Sequence, residues 1–223
     1  MNTSLLGQAL TKFAGGVLLL GLLLFLPAGT LKWQQAWLLM GILFIPMLIA
    51  GLVLMKKSPE LLEKRLNAKE GEGEQRRVLL LSAVMFVAAF VLAGLSFRFR
   101  WLMLPEAVSW VAAGVFLLGY GLYAEVLREN IWLSRTVEIQ ENQRVVDTGL
   151  YGLVRHPMYM STLLLFLSMP MVLGSVISFI IMLAYIPIIV RRIHNEEQVL
   201  LNGLSGYDKY IKKVRYRLLP FIW

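Results

Sequence analysis

Arg155, His156, Pro157 and Tyr159 stand together in "RHPMY", where a polar loop gives way to a largely apolar run from Met158 to Val190. At the far end of that run, "RRIHNEEQVLL" (191–201) sets two arginines and a histidine beside two adjacent carboxylates. Pro157 suits the first turn of a helix. The free N–H groups of that turn, next to Arg155 and His156, form a positive corner that suits a carboxylate. Arg192 precedes Glu196 by four residues and shares its helix face, an arrangement that suits a simple ion pair. Together with Glu197, the same residues could instead hold a cationic cofactor beside an anionic substrate. The preceding stretch, "RTVEIQENQRVVDTGLYGLVRHPMY" (135–159), reads as an extended loop whose backbone donors and acceptors could receive a zwitterionic ligand. Basic and aromatic residues also anchor helix ends at lipid headgroups, and Arg155 and Tyr159 fit that role too.

Other chemistries find little support. The chain holds two histidines, His156 and His194, and no cysteine, so thiolate sites and disulfides are excluded. "HNEE" lacks the H-E-x-x-H spacing that sets two imidazoles on one helix face, and no metal site is expected. No G-x-S-x-G elbow, phosphate-binding loop or dinucleotide fingerprint is present.

These groups must be positioned by membrane elements. Of the 223 residues, 58% are hydrophobic and only 16% charged, where a soluble domain averages about a quarter charged. Apolar runs predict spans at 13–28, 36–55, 78–97 and 108–127. Lys12 before the first run resembles the start of a secretory signal, but no small-residue cleavage site follows, so this run is expected to remain as a span. As one helix, the run 158–190 would extend about 50 Å, well past a hydrocarbon core of about 30 Å. Pro170, Gly174 and Ser175 lie at its centre, so a helical hairpin is expected and about six crossings result. Charge agrees with that count. Of the 22 Lys and Arg residues, 18 fall in segment 56–77, the loop before the hairpin and the tail, and only Lys32, Arg98 and Arg100 fall opposite. The basic side is expected to be cytoplasmic, and the net charge of +8 points to a membrane surface, with no nucleic-acid partner. Segment 56–77 reads as a surface helix from Ser58–Pro59 followed by a flexible connector. The hairpin would bring "RHPMY" and "RRIHNEE" together at the cytoplasmic face. The expected fold is an all-α integral membrane protein: N-terminal spans over 1–119 and a catalytic region over 120–223.

That catalytic region carries a resemblance. "QRVVDTGLYGLVRHPMYMS", the apolar hairpin, "RRIHNEEQVLL" and "GYDKYIKKVRYRLLPFIW" together resemble the isoprenylcysteine carboxyl methyltransferase family, which is related to phospholipid methyltransferases. The resemblance implies an S-adenosylmethionine site. Gln143, Val145, Val146 and Tyr151 would wrap the cofactor, and His156, Pro157, Met158 and Tyr159 would complete its pocket. Gln143 stands where relatives often have His. Glu196 or Glu197 matches the family's glutamate; we assign Glu196 to the cofactor and Glu197, with the substrate-facing Arg192, to catalysis. The implied function is methyl transfer to a lipophilic acceptor, first a carboxylate such as a prenylated cysteine or isoprenoid-like acid. A phospholipid amine is the nearest alternative acceptor. A sterol-reductase-like enzyme using NADPH and a non-enzymatic membrane protein are more distant ones.

Overall fold

The computed structural model describes residues 3–66, 73–133 and 139–223. Part of the expected 56–77 connector and of the 135–159 loop lies outside them, including Lys69 and Arg135. The described residues form α1 (Thr3–Ala28), α2 (Gln34–Lys57), α3 (Pro59–Leu66), α4 (Gly73–Phe99), α5 (Glu106–Glu129), α6 (Pro157–Val172), α7 (Val176–Met182), α8 (Tyr185–Gly203) and α9 (Tyr207–Lys213). By length and composition, Leu5–Ala28, Gln34–Lys57, Leu80–Phe99, Glu106–Glu129 and the α7–α8 stretch Val176–Gly203 can cross a membrane. The first, second and fourth contain the expected spans 13–28, 36–55 and 108–127, and the third overlaps 78–97 from residue 80 onward. α3 forms where the surface helix is expected.

The hairpin is built as the breaker residues suggest. Pro170 lies in the last turn of α6, and Gly174 adopts a left-handed φ of +73°. Gly174 N–H donates to Met171 O at 3.1 Å and Ser175 N–H to Pro170 O at 3.0 Å, the paired bonds that close a helix around a glycine. Ser175 then caps α7, accepting from Ser178 N–H. Two further bonds clip this tip to the α4–α5 loop: Leu104 N–H to Gly174 O and Val176 N–H to Leu102 O. The return arm has a break that the sequence reading lacks. α7 ends at Met182 and α8 begins at Tyr185, because the Pro187 ring clashes with the carbonyl four residues back, that of Leu183. The outgoing arm α6 has 16 residues, about 24 Å at helical rise and shorter than a hydrocarbon core.

Close helix approach fixes the arms against the rest. A side chain at Gly119 of α5 would meet the Leu165 backbone of α6 at 3.2 Å, so a small residue sets that contact. Around it lies a core of Leu24, Trp33, Leu39, Phe116, Val172 and Leu173, all fully buried. Trp33 stacks on Phe97 with centroids 4.8 Å apart. Large apolar residues such as Leu18, Leu26, Ile45, Leu81 and Val111 point outward, as a lipid-facing surface requires.

Candidate active site

The two hairpin ends meet, and the tail laces them together. Arg155 and His156 donate their backbone N–H groups to Tyr216 O and Arg217 O, both at 2.9 Å. The buried Arg155 guanidinium donates through Nε to Glu197 Oε1 at 2.7 Å and through Nη1 to the carbonyls of Val214 and Arg215. Glu197 Oε1 also lies 3.3 Å from His156 Nε2, and its Oε2 accepts from Arg217 Nε at 2.9 Å. Glu197 is only 5% exposed. A buried carboxylate bonded on both oxygens to cations is how a buried charge becomes tolerable. The positive corner expected at Arg155 is therefore charge-compensated from beneath.

Glu196, on the next face of α8, has different partners. The Tyr159 hydroxyl donates to its Oε2, and His156 Nδ1 lies 3.9 Å from its Oε1. Arg192 Nε in turn donates to the Tyr159 hydroxyl at 3.0 Å. Arg192 and Glu196, which share a helix face, are thus linked through a tyrosine from the other arm.

The loop between α5 and α6 hangs from the end of α5. The Glu129 carboxylate accepts Leu150 N–H at 3.0 Å. Asn130 donates Nδ2 to the Tyr151 hydroxyl at 2.8 Å and accepts Trp132 N–H. Together they fix the 3-10 turn Gly149–Gly152, where Gly149 has a φ of +51°. A tight turn at Asn142 lets Gln143 Oε1 accept Gln140 N–H at 2.8 Å, so the Gln143 amide partly serves its own loop. From α9, the Tyr210 hydroxyl donates to Tyr151 O at 2.7 Å.

These elements border an open cleft of about 820 Å³, the solvent at its mouth included. Of the residues expected from sequence, Gln143, Val145, Val146, Tyr151, His156, Met158, Tyr159 and Glu196 line it. Pro157, Arg192 and Glu197 do not. Pro157 is buried as the first residue of α6, Arg192 connects through Tyr159, and Glu197 lies in the ion network. Asn130, Trp132, Leu133, Leu200, Tyr207 and Tyr210 belong to the lining and were missed. The Tyr207 hydroxyl is buried and has no hydrogen-bond partner among the described residues. Burial, reinforced by Glu197 and Glu196, pushes its pKa up. Burial, reinforced by Tyr151, does the same for Tyr210. Both hydroxyls therefore remain donors at neutral pH.

Fold and cleft together define a multi-pass helical membrane protein with a polar cleft where a helical hairpin opens. Residues 121–202 match the isoprenylcysteine carboxyl methyltransferase (ICMT) family, a match that covers the loop and both hairpin arms. Its members are membrane methyltransferases. The chain is also similar to the Delta(14)-sterol reductase TM7SF2 of Mus musculus, 28% identical over 91 residues, which cover 40% of this chain and 22% of the reductase. The match thus spans about a fifth of that relative's length.

Proposed function

We propose that the chain transfers a methyl group from S-adenosylmethionine to a lipophilic acceptor, with the cofactor in the cleft at the hairpin mouth, facing the cytoplasm. One observation carries this reading. The family-matched segment supplies every lining residue except Leu204, Tyr207 and Tyr210. The cleft also suits the cofactor chemically. Trp132, Leu133, Val145, Val146 and Leu200 offer an apolar wall, Glu196 a negative charge for a cationic ligand, and Tyr207 an unclaimed donor.

Bound S-adenosylmethionine would supply a methyl group on a sulfonium, ready for in-line displacement. The chain's part is alignment, which can be worth about 7–11 kcal/mol. Glu196, oriented by Tyr159 and His156, faces the cationic end. Glu197 serves as a positioning residue, because its oxygens are committed to Arg155, His156 and Arg217. Arg192 holds an acceptor carboxylate beside Tyr159. Such an acceptor is already nucleophilic at neutral pH, so no proton has to move. Prenylated cysteine and isoprenoid-like acids satisfy this requirement. An amine acceptor would need a base, and Glu196 is the carboxylate lining the cleft.

The similarity to a sterol reductase keeps a second reading in view, a reductase using NADPH. Titration of the purified protein with S-adenosylmethionine and, separately, with NADPH distinguishes the two. Binding of the first alone is expected, and His156→Ala and Glu196→Ala should abolish it. Arg192→Ala should spare that affinity and lose turnover. Binding of NADPH alone would replace the methyltransferase with the reductase.

A further inference from the structure

Beyond Arg217 the tail makes a tight turn, with the N–H groups of Ile222 and Trp223 both donating to Leu219 O. Leu218 is buried in a cluster with Met85, Ala89, Ile189 and Ile193, and Leu219 and Trp223 pack against that cluster. Met85 and Ala89 belong to the span Leu80–Phe99, and Ile189 and Ile193 to the stretch Val176–Gly203. The turn therefore lies on the flank of two membrane helices. Its tip is unusual. Phe221 is 87% and Ile222 78% exposed, more than any other large apolar side chain described. Phe221 also holds a left-handed φ of +67°, a conformation disfavoured for a bulky residue. The Phe221 ring keeps one neighbour, Tyr216, with ring centroids 5.3 Å apart, and otherwise both side chains of the tip are open to the surroundings.

The tail that carries the tip also carries cations and an interfacial aromatic. Lys209, Lys212, Lys213, Arg215 and Arg191 are exposed, with Lys213 paired to Asp147. The Trp223 ring lies 5.8 Å from that of His194 and 5.3 Å from the Arg217 guanidinium. A tail that joins an apolar tip to aromatic and basic residues matches the boundary between acyl chains and headgroups, and several Lys and Arg in one segment favour anionic lipid.

We infer that the turn Leu218–Trp223 is a second membrane contact, inserting Phe221 and Ile222 among the acyl chains of anionic lipids whose headgroups meet the tail cations. The contact has a reach beyond the tail. The adjoining residues 216 and 217 accept the Arg155 and His156 N–H groups, and Arg217 donates to Glu197. Insertion therefore fastens the ion network beneath the cleft to the bilayer.

The chain has no cysteine, so Phe221→Cys, carrying an environment-sensitive fluorophore, reports from one place. The full chain is reconstituted in phosphatidylcholine–phosphatidylglycerol vesicles, with a nitroxide placed near the headgroup end of the acyl chain of either lipid. Blue-shifted emission is expected, with stronger quenching from nitroxide on phosphatidylglycerol than on phosphatidylcholine at equal mole fraction. Ile222→Cys should agree. Water-like emission fully quenched by iodide would overturn the insertion, and equal quenching from both lipids would overturn the anionic preference. A blue shift insensitive to lipid nitroxide and lost on diluting the protein in lipid would assign the tip to a second copy of the chain and reject the proposal.

Discussion

Glu197 and Tyr207 differ most in what their polar atoms already touch. Glu197 accepts from Arg155 and Arg217 and faces His156, whereas the Tyr207 hydroxyl has no partner among the described residues. Their substitutions should diverge accordingly. Glu197→Ala strands the buried Arg155 guanidinium and should destabilise the fold by about 3–5 kcal/mol. Tyr207→Phe removes an unsatisfied buried group and should leave stability unchanged or raised. It should nevertheless weaken S-adenosylmethionine binding about fivefold, close to the roughly 1 kcal/mol net value of a hydrogen bond. Thermal unfolding with and without cofactor, together with titration, reads both effects, and an unaltered affinity in Tyr207→Phe would remove that hydroxyl from the site. The sequence showed which residues gather here but not how they divide. Glu196 and Glu197 are neighbours in sequence and about 100° apart around a helix, so packing alone decides which one meets the cleft. Tyr207 and Tyr210 sit three apart on a short helix after Gly206, a shared-face spacing that could have signalled them.

The elements were more legible where they are punctuated. Pro170, Gly174 and Ser175 spelled out the hairpin turn, because each imposes a backbone constraint that lipid surroundings do not remove. The bonds from Leu104 and Val176 that clip this turn to the α4–α5 loop left no trace in hydropathy, which is blind to backbone pairing across distant segments. The suspension of the α5–α6 loop from the end of α5 was equally hidden, although Gly149 marks it. A Cβ at Gly149 would lie 1.5 Å from Glu129 Oε1, the carboxylate that holds Leu150 N–H. Gly149→Ala should therefore displace Glu129 and also carry about 1–2 kcal/mol of left-handed backbone strain. We expect a raised Kd for S-adenosylmethionine in Gly149→Ala. Adding Glu129→Ala should not restore wild-type affinity, because the φ strain and the lost Leu150 acceptor remain. Full recovery in the double variant would show that the clash alone matters and that Glu129 does not hold the turn.

At the scale of the whole molecule, charge and connectivity make one statement. The hairpin returns the chain to the side it left, because residues 155–156 bond directly to residues 216–217. The loop and the tail must therefore share a face, and we propose that it is cytoplasmic, because 18 basic residues fall on the side that the sequence assigns to it. Lys32, beyond α1, lies with the opposite group. Single cysteines introduced into the otherwise cysteine-free chain at Glu141, Lys212 and Lys32 can be probed with a membrane-impermeant maleimide. In intact cells Lys32→Cys should react, while Glu141→Cys and Lys212→Cys should react only after permeabilisation. If all three positions kept their grouping but with reversed access, the cleft would open away from the cytoplasm, out of reach of a cofactor made there. A soluble methyl donor and a lipid-borne acceptor could then no longer meet at Glu196, however well the cleft fits them.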